Sequence, residues 1–307
     1  MTLSTLITIS LLGLVFLPST ASAEDESRPY PVDVTAQTLA DSVEFARLHE
    51  AGRILFDESF DGPDALRRFF NLRGKDRGAL EVISDSSVAH TGDGCLQLHT
   101  VDNQGKSSGT SASYWLSEGV DTLYFRRYIR FAEDYDQGNL HHVGGSLAAV
   151  SGDDPSGGMG HAGQRPSGDD RFTAGFEPWR AWGQNEAPGV MSLYTYWMDM
   201  KVSRDGEHYY GNQFIPENGV VLKRGVWHCL EHALISNTPG EADGEMAAWI
   251  DGELYIHLKG FRWRSSPDVK PRRIALGMYI HKSTRRNVLW HDDVALSTGY
   301  IGPLRND

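Results

Sequence analysis

Four stretches of this sequence set side chains capable of acid–base chemistry and anion binding at every second position. In Thr122 to Phe131, Tyr124, Arg126, Tyr128 and Arg130 alternate with Leu123, Phe125, Ile129 and Phe131, and a period of two places these sets on opposite faces of a strand. Val190 to Met200 repeats the device with Ser192, Tyr194 and Tyr196 on one face, and Lys201 follows it. GMYIHK puts Tyr279 and His281 on one face with Lys282 after them. His141 and His142 open the run HHVGGSLAAV, where Gly144 and Gly145 leave room for a group to approach the backbone. Tyrosine rings suit flat contact with sugar rings, and a guanidinium forks onto a carboxylate or sulfate. These residues therefore read as a saccharide platform, although the same alternation also describes a solvated outer face with cross-strand aromatic pairs. Arg127 falls on the apolar face of its strand and requires a bulge or a buried partner.

Acids are sparser at such positions. Glu177 and Glu231 are the well-placed ones, and no strand carries the two or three alternating carboxylates that sandwich-fold glycoside hydrolases use. Hydrolysis therefore ranks below the other chemistries. Asp57 and Asp61 near one end and Asp292 and Asp293 near the other have the oxygen ligands for a structural calcium. Turn and surface acids are the preferred explanation. His228 and His232 have the i, i+4 spacing of helical zinc ligands, but on a strand such residues lie about 13 Å apart and cannot share an ion. No catalytic metal or cofactor is required by this residue set.

The elements that position these residues are strands. From Ile54 onward, runs at Ile54 to Phe56, Leu80 to Ile83, Cys95 to Thr100, Thr122 to Phe131, His141 to Val150, Arg171 to Trp179, Val190 to Met200, Arg273 to His281 and Leu289 to Ser297 are separated by turn residues. Gly225 to Phe261 reads as a meander, with Asp251-Gly252 as the tight turn of a hairpin, because both turn positions must tolerate positive φ. About a dozen strands with almost no helix predict an all-β sandwich or jelly roll. Ser151 to Asp170 is the long loop, and its Gly157 to Gly163 portion suits a lid over one end of a groove.

Residues 1–23 carry a signal-peptide pattern: an apolar run, Leu6 to Leu17, too short to span a bilayer, then Ala21-Ser22-Ala23. A secreted or periplasmic protein, monomeric and not membrane-bound, is expected. Residues 24–53 read as a linker and one short helix packing outside a single domain at 54–307. The net charge of −12 disfavours nucleic-acid and anionic-membrane partners. Cys95 and Cys229, the two cysteines present, pair as a disulfide or remain buried thiols.

The order of ILFDESFDG, LYFRRYIRF, a Gly-rich strand, GVWHCLEHALISNTPG, DGEMAAWIDGELYIHLKGFRWR and WHDDVALSTGYIGP resembles concanavalin A-like jelly-roll proteins, and among them polysaccharide lyases of the alginate and glucuronan lyase type. The resemblance implies an anionic polysaccharide substrate and catalytic residues on the concave sheet, usually Tyr with Lys, His or Arg. The strand of His141 and His142 matches one that carries a lysine in alginate lyases of this shape; here histidines stand instead. Elimination from a uronate polymer needs a group on the carboxylate, a base for the C5 proton and an acid for the leaving oxygen. The expected catalytic set is Arg126, His141, His142, Tyr194 and Tyr196, with a tyrosine pKa lowered by neighbouring cations. Tyr124, Tyr128, Glu177, Lys201, Glu231, Tyr279, His281 and Lys282 are the expected substrate contacts. A lectin-like binding protein is the alternative.

Overall fold

The computed structural model describes residues 36–37, 41–138 and 140–305. The expected leader, 1–23, lies outside the described residues, as does most of the linker. In chain order the strands are β1 (Ala36–Gln37), β2 (Ile54–Glu58), β3 (Asn71–Arg73), β4 (Leu80–Ser84), β5 (Gly94–Thr100), β6 (Ser108–Trp115), β7 (Thr122–Phe131), β8 (His141–Val150), β9 (Arg171–Trp179), β10 (Val190–Tyr196), β11 (Asn212–Phe214), β12 (Trp227–Ile235), β13 (Gly244–Ile250), β14 (Glu253–Phe261), β15 (Lys270–Ile280) and β16 (Asn287–Ser297). The helix α1 (Ser42–Leu48) precedes β2 and is capped by Asp41, whose Oδ1 accepts the N–H groups of Val43 and Glu44 at 2.9 Å.

The strands form two antiparallel sheets. One has nine strands in the order β1-β14-β13-β12-β7-β16-β5-β4, with β2 added on β16; the other has seven, β11-β10-β9-β8-β15-β6-β3. The meander β12-β13-β14 is contiguous, and its Asp251-Gly252 turn takes φ of 51° and 87°, the left-handed values a two-residue hairpin requires. β10 ends at Tyr196, four residues short of the expected Met200, because the chain turns at Trp197.

Between the sheets the apolar halves of the alternating patterns meet. Phe125, Ile129 and Leu230 come from one sheet and Leu147, Phe176, Leu193 and Leu276 from the other, all at most 1% exposed. Each such side chain stabilises the fold by roughly 1.5–3 kcal/mol. Arg127 stands in this core, fully buried, with Nη2 donating to the Phe176 carbonyl of the opposite sheet at 2.6 Å. A buried partner accommodates it, and the neighbouring strand β16 bulges between Asp292 and Ala295 opposite it. Burial pulls its pKa down to about 9. Gly145 makes the space, since a β-carbon there would stand 2.6 Å from Arg127 Nε.

Cys95 and Cys229 are free and buried. Their strands, β5 and β12, are separated by β16 and β7, a lateral distance of about 14 Å, beyond the roughly 7 Å that a disulfide spans. The expected calcium ligands do not converge either. Asp292 Oδ2 accepts the N–H of His90 at 2.8 Å, Asp293 binds the His90 ring and Thr91 Oγ1, and Asp61 accepts the N–H groups of Asp93 and Gly94. Among the described residues no three His, Cys, Asp or Glu side chains are grouped to hold a metal, and no helix is long and apolar enough to cross a membrane.

Candidate active site

The outward face of the seven-stranded sheet is open, and cross-strand register determines which residues meet on it. His142 of β8 lies opposite Tyr279 of β15, Gly144 opposite Gly277, and Ser146 opposite Ala275; on the other side Ser192 of β10 lies opposite Glu177 of β9, and Tyr194 opposite Gly175. β6 adds Ser111 opposite Gly277 and Gly109 opposite Tyr279. The result is a floor of glycine, alanine and serine with polar side chains standing at its end. A cavity of about 160 Å³ there is lined by His142, Gly144, Glu177, Gly277 and Tyr279 among others. A larger hollow of about 690 Å³, lined by Asp61, Pro63, Arg67 and Lys75, contains none of these residues.

His142 and Glu177 form a dyad. Nδ1–H of His142 donates to Glu177 Oε1 at 3.0 Å, which leaves Nε2 for the groove. The His142 side chain is 38% exposed and the Glu177 side chain 10%. Burial works against a charged imidazole, but the Glu177 charge and hydrogen bond prevail, so His142 titrates above the usual histidine value. The ring of Tyr194 is 4.9 Å from that of His142, centroid to centroid. Tyr194 Oη receives the Gly211 N–H at 2.9 Å and lies 3.2 Å from Tyr196 Oη. Gly211 is flush with the ring: a β-carbon there would be 2.6 Å from Cζ. Burial, then the neighbouring Tyr196, pushes the Tyr194 phenol well above its ordinary value, and burial raises Tyr196 too. This corrects the expected lowering by cations: both phenols titrate above their ordinary value because they are buried.

His281 completes the cluster, 5.6 Å from His142 and 4.9 Å from Tyr279 between ring centroids. Its Nε2 is buried with no hydrogen-bond partner among the described residues, and burial followed by the His142 charge holds its pKa below the usual value. Lys282 is exposed on the turn beyond. Lys201 follows β10 on the far side, its backbone N–H on Asn212 Oδ1 at 2.9 Å. The cation at the His142 end is Arg73 of β3, its guanidinium 5.6 Å from the centre of the Tyr279 ring. No sequence pattern indicated it, because β3 is three residues long and β6, which holds it, is a Ser/Gly/Thr run lacking apolar alternation.

Other expected members lie elsewhere. His141 points away from the groove; it is 1% exposed and donates from Nε2 to the Pro178 carbonyl at 2.6 Å. Arg126, Tyr124, Tyr128 and Glu231 belong to the nine-stranded sheet and face outward on the opposite side of the molecule, where α1 and residues 300–304 cover them. Tyr124 Oη donates to the Leu48 carbonyl at 3.2 Å, and Tyr128 Oη accepts the Leu304 N–H at 2.8 Å. Arg126 donates to the carbonyls of Asp293 and Gly302, while Glu231 accepts the N–H groups of Ile301 and Gly302. All four are at most 7% exposed. The expectation that they share a groove with Tyr194 is corrected: every polar atom they present is occupied by backbone.

No family model matches the sequence, and no curated protein matches it. In fold the chain is similar to several solved structures. They include a marine PL-14 alginate lyase from Aplysia kurodai, with a TM-score of 0.57 and 12% identity over 82% of this chain and 100% of that one. An alginate lyase from Chlorella virus aligns with a TM-score of 0.52 and 17% identity, over 76% and 100%. An endo-β-1,4-glucuronan lyase from the fungus Trichoderma reesei aligns with a TM-score of 0.51 and 14% identity, over 80% and 95%. The fold is the all-β jelly roll of two antiparallel sheets.

Proposed function

We propose that this protein is an exported polysaccharide lyase that cleaves a uronate-containing polymer by β-elimination, without a cofactor. The observation that carries the reading is the His142–Glu177 dyad facing a protonated Tyr194 at the end of an open floor of small residues. In the sugar next to the scissile bond, His142 Nε2 takes the C5 proton while Glu177 holds Nδ1–H and supports the imidazolium that forms. The C5–H electrons become the C4=C5 double bond, the C4–O4 bond breaks, and Tyr194 Oη protonates the departing oxygen. The anion that develops on the carboxylate is met by Arg73 and His281. The lyases of similar fold act on alginate and glucuronan, and polymers of that chemistry are the substrates to offer first.

Hydrolysis has less support. The small cavity is lined by one carboxylate, Glu177, and it is already paired with His142, whereas a glycosidase places two on either side of the bond. The test is a continuous ultraviolet assay for the unsaturated product on alginate, glucuronan, pectate and glycosaminoglycans. Absorbance rising with one of them, lost in His142→Ala, is expected; binding without any absorbance change establishes the lectin-like alternative instead.

A further inference from the structure

Two adjacent arginines of β15 have opposite surroundings. Arg272 is saturated: its guanidinium lies 4.2 Å from the Trp115 ring centre and donates to the carbonyls of Leu116, Ser117 and Gly152 and to Asp153. Arg273 has no hydrogen bond, ion pair or ring contact among the described residues, and its Nη1 is enclosed without a partner. Burial alone lowers its pKa, with no acid close enough to counter it. Only Nη1 is enclosed; Nε and Nη2, with no partner among the described residues, stay accessible from the groove face and are the donors a ligand can reach.

The strand alternation says where that cation points. In β15, Ile274, Leu276, Met278 and Ile280 are buried in the core, while Arg273, Ala275, Gly277 and Tyr279 are partly exposed on the groove face. Arg273 thus stands on the same floor as the cluster around His142, at its other end. Tyr279, the cross-strand partner of His142, lies six positions further along the strand, so the two ends are about 20 Å apart. Between them the floor is Gly144 and Ser146 on β8, Gly277 and Ala275 on β15, and Ser111 and Ser113 on β6, with no side chain taller than serine. The 151–170 loop arches over the Arg273 end: a β-carbon on Gly158 would stand 3.8 Å from Arg273 Nη1.

We infer that Arg273 is a distal carboxylate subsite, where a uronate several sugars away from the bond being broken docks its carboxylate on the guanidinium beneath the 151–170 loop. The inference rests on the reading of the groove as a uronan site and adds to it how the chain is held. A forked, charge-assisted contact in a desolvated position is stronger than a neutral one and selects carboxylate over hydroxymethyl. Long uronans gain from it, and short ones cannot reach it.

The test is calorimetric titration of His142→Ala protein, which leaves oligomers uncut, with alginate and glucuronan oligosaccharides from disaccharide to octasaccharide, with Arg273 native or replaced by Met or Lys. Arg273→Met is expected to weaken octasaccharide binding tenfold to a hundredfold, to leave disaccharide binding within twofold, and to have no effect on carboxyl-reduced octasaccharide; Arg273→Lys restores part of the loss. Equal octasaccharide affinity with Met and Arg, or an equal loss for the carboxyl-reduced oligomer, overturns the subsite and leaves the lyase reading standing. If the Arg273-native protein binds no uronate oligomer at all, the lyase reading itself falls and the subsite with it. Matching melting curves for the Arg and Lys forms separate docking from folding.

Discussion

The two outward faces of this molecule carry the same residue types in the same alternation, and only one is a groove. On the nine-stranded sheet Tyr124, Arg126, Tyr128 and Glu231 lie under α1 and residues 300–304, their donors and acceptors taken up by backbone. On the seven-stranded sheet His142 pairs with Glu177 and Tyr194 with Tyr196, side chain to side chain, His281 stands 5.6 Å from His142 between ring centroids, and among the described residues no helix or terminal segment lies over them. A polar strand face is thus two different things according to what covers it. Covered, it is a backbone-satisfying seam that fastens a segment; uncovered, it is available for chemistry.

Substitutions on the two faces should separate sharply. His142→Ala and Tyr194→Phe on the open face are expected to lower turnover by about 10²–10⁴ with little change in melting temperature. Arg126→Ala on the covered face should leave turnover per folded molecule unchanged while lowering stability. A comparable loss of turnover in both would erase the distinction. Next in size, Glu231→Ala strands the Ile301 and Gly302 N–H groups and is expected to cost roughly 2–4 kcal/mol in denaturant unfolding, whereas a cost near zero would show that the C-terminal segment is not fastened there.

Acidity sharpens the same comparison. With His142 as base, activity should rise with pH through a pKa above the ordinary histidine value; Glu177→Gln removes the charge that raises it, leaving burial to act alone, so the acid limb should move to lower pH while the rate falls. A limb that stays in place in Glu177→Gln would remove Glu177 from the dyad. The smallest expected effect belongs to the covered face. Burial pushes Glu231 and Asp292 up to about 7, so the folded state holds protons that the unfolded chain releases near pH 4. The stability this contributes is complete below pH 4 and is lost as pH rises through 7. Glu231→Gln should flatten the decline of melting temperature between pH 5 and pH 8; an unchanged slope assigns it to other groups.

Much of this was legible in the sequence. The alternating runs marked their strands to within a few residues, because a half-buried strand must alternate, and Asp251-Gly252 marked its hairpin, because few dipeptides take two left-handed positions. Tyr194, Tyr196, His142, Tyr279 and His281 were each assigned to a polar strand face, but in one set with Tyr124, Arg126, Tyr128 and His141, which the structure places elsewhere. The Ser108–Trp115 strand was not legible, because glycine and serine on its groove face (Gly109, Ser111, Ser113) back onto serine, threonine and alanine inside (Ser108, Thr110, Ala112), which gives little hydrophobic contrast. Arg73 went unnoticed because it sits on a three-residue strand held by β6, whereas Arg273 opens the expected run to His281 on the face of Tyr279 but carries no pattern that sets it apart from an ordinary surface arginine.

What the sequence by itself determined is therefore the all-β jelly roll and, strand by strand, which residues share a face. Alternation is local, since each peptide unit turns the next side chain over. Which face is covered depends on segments far away in the chain, α1 before the domain and 300–304 after it, and only the tertiary structure brings them onto β7 and β12. That distant covering decided that Arg126 is a fastener, while the face that carries His142, Glu177 and Tyr194 has no such cover among the described residues.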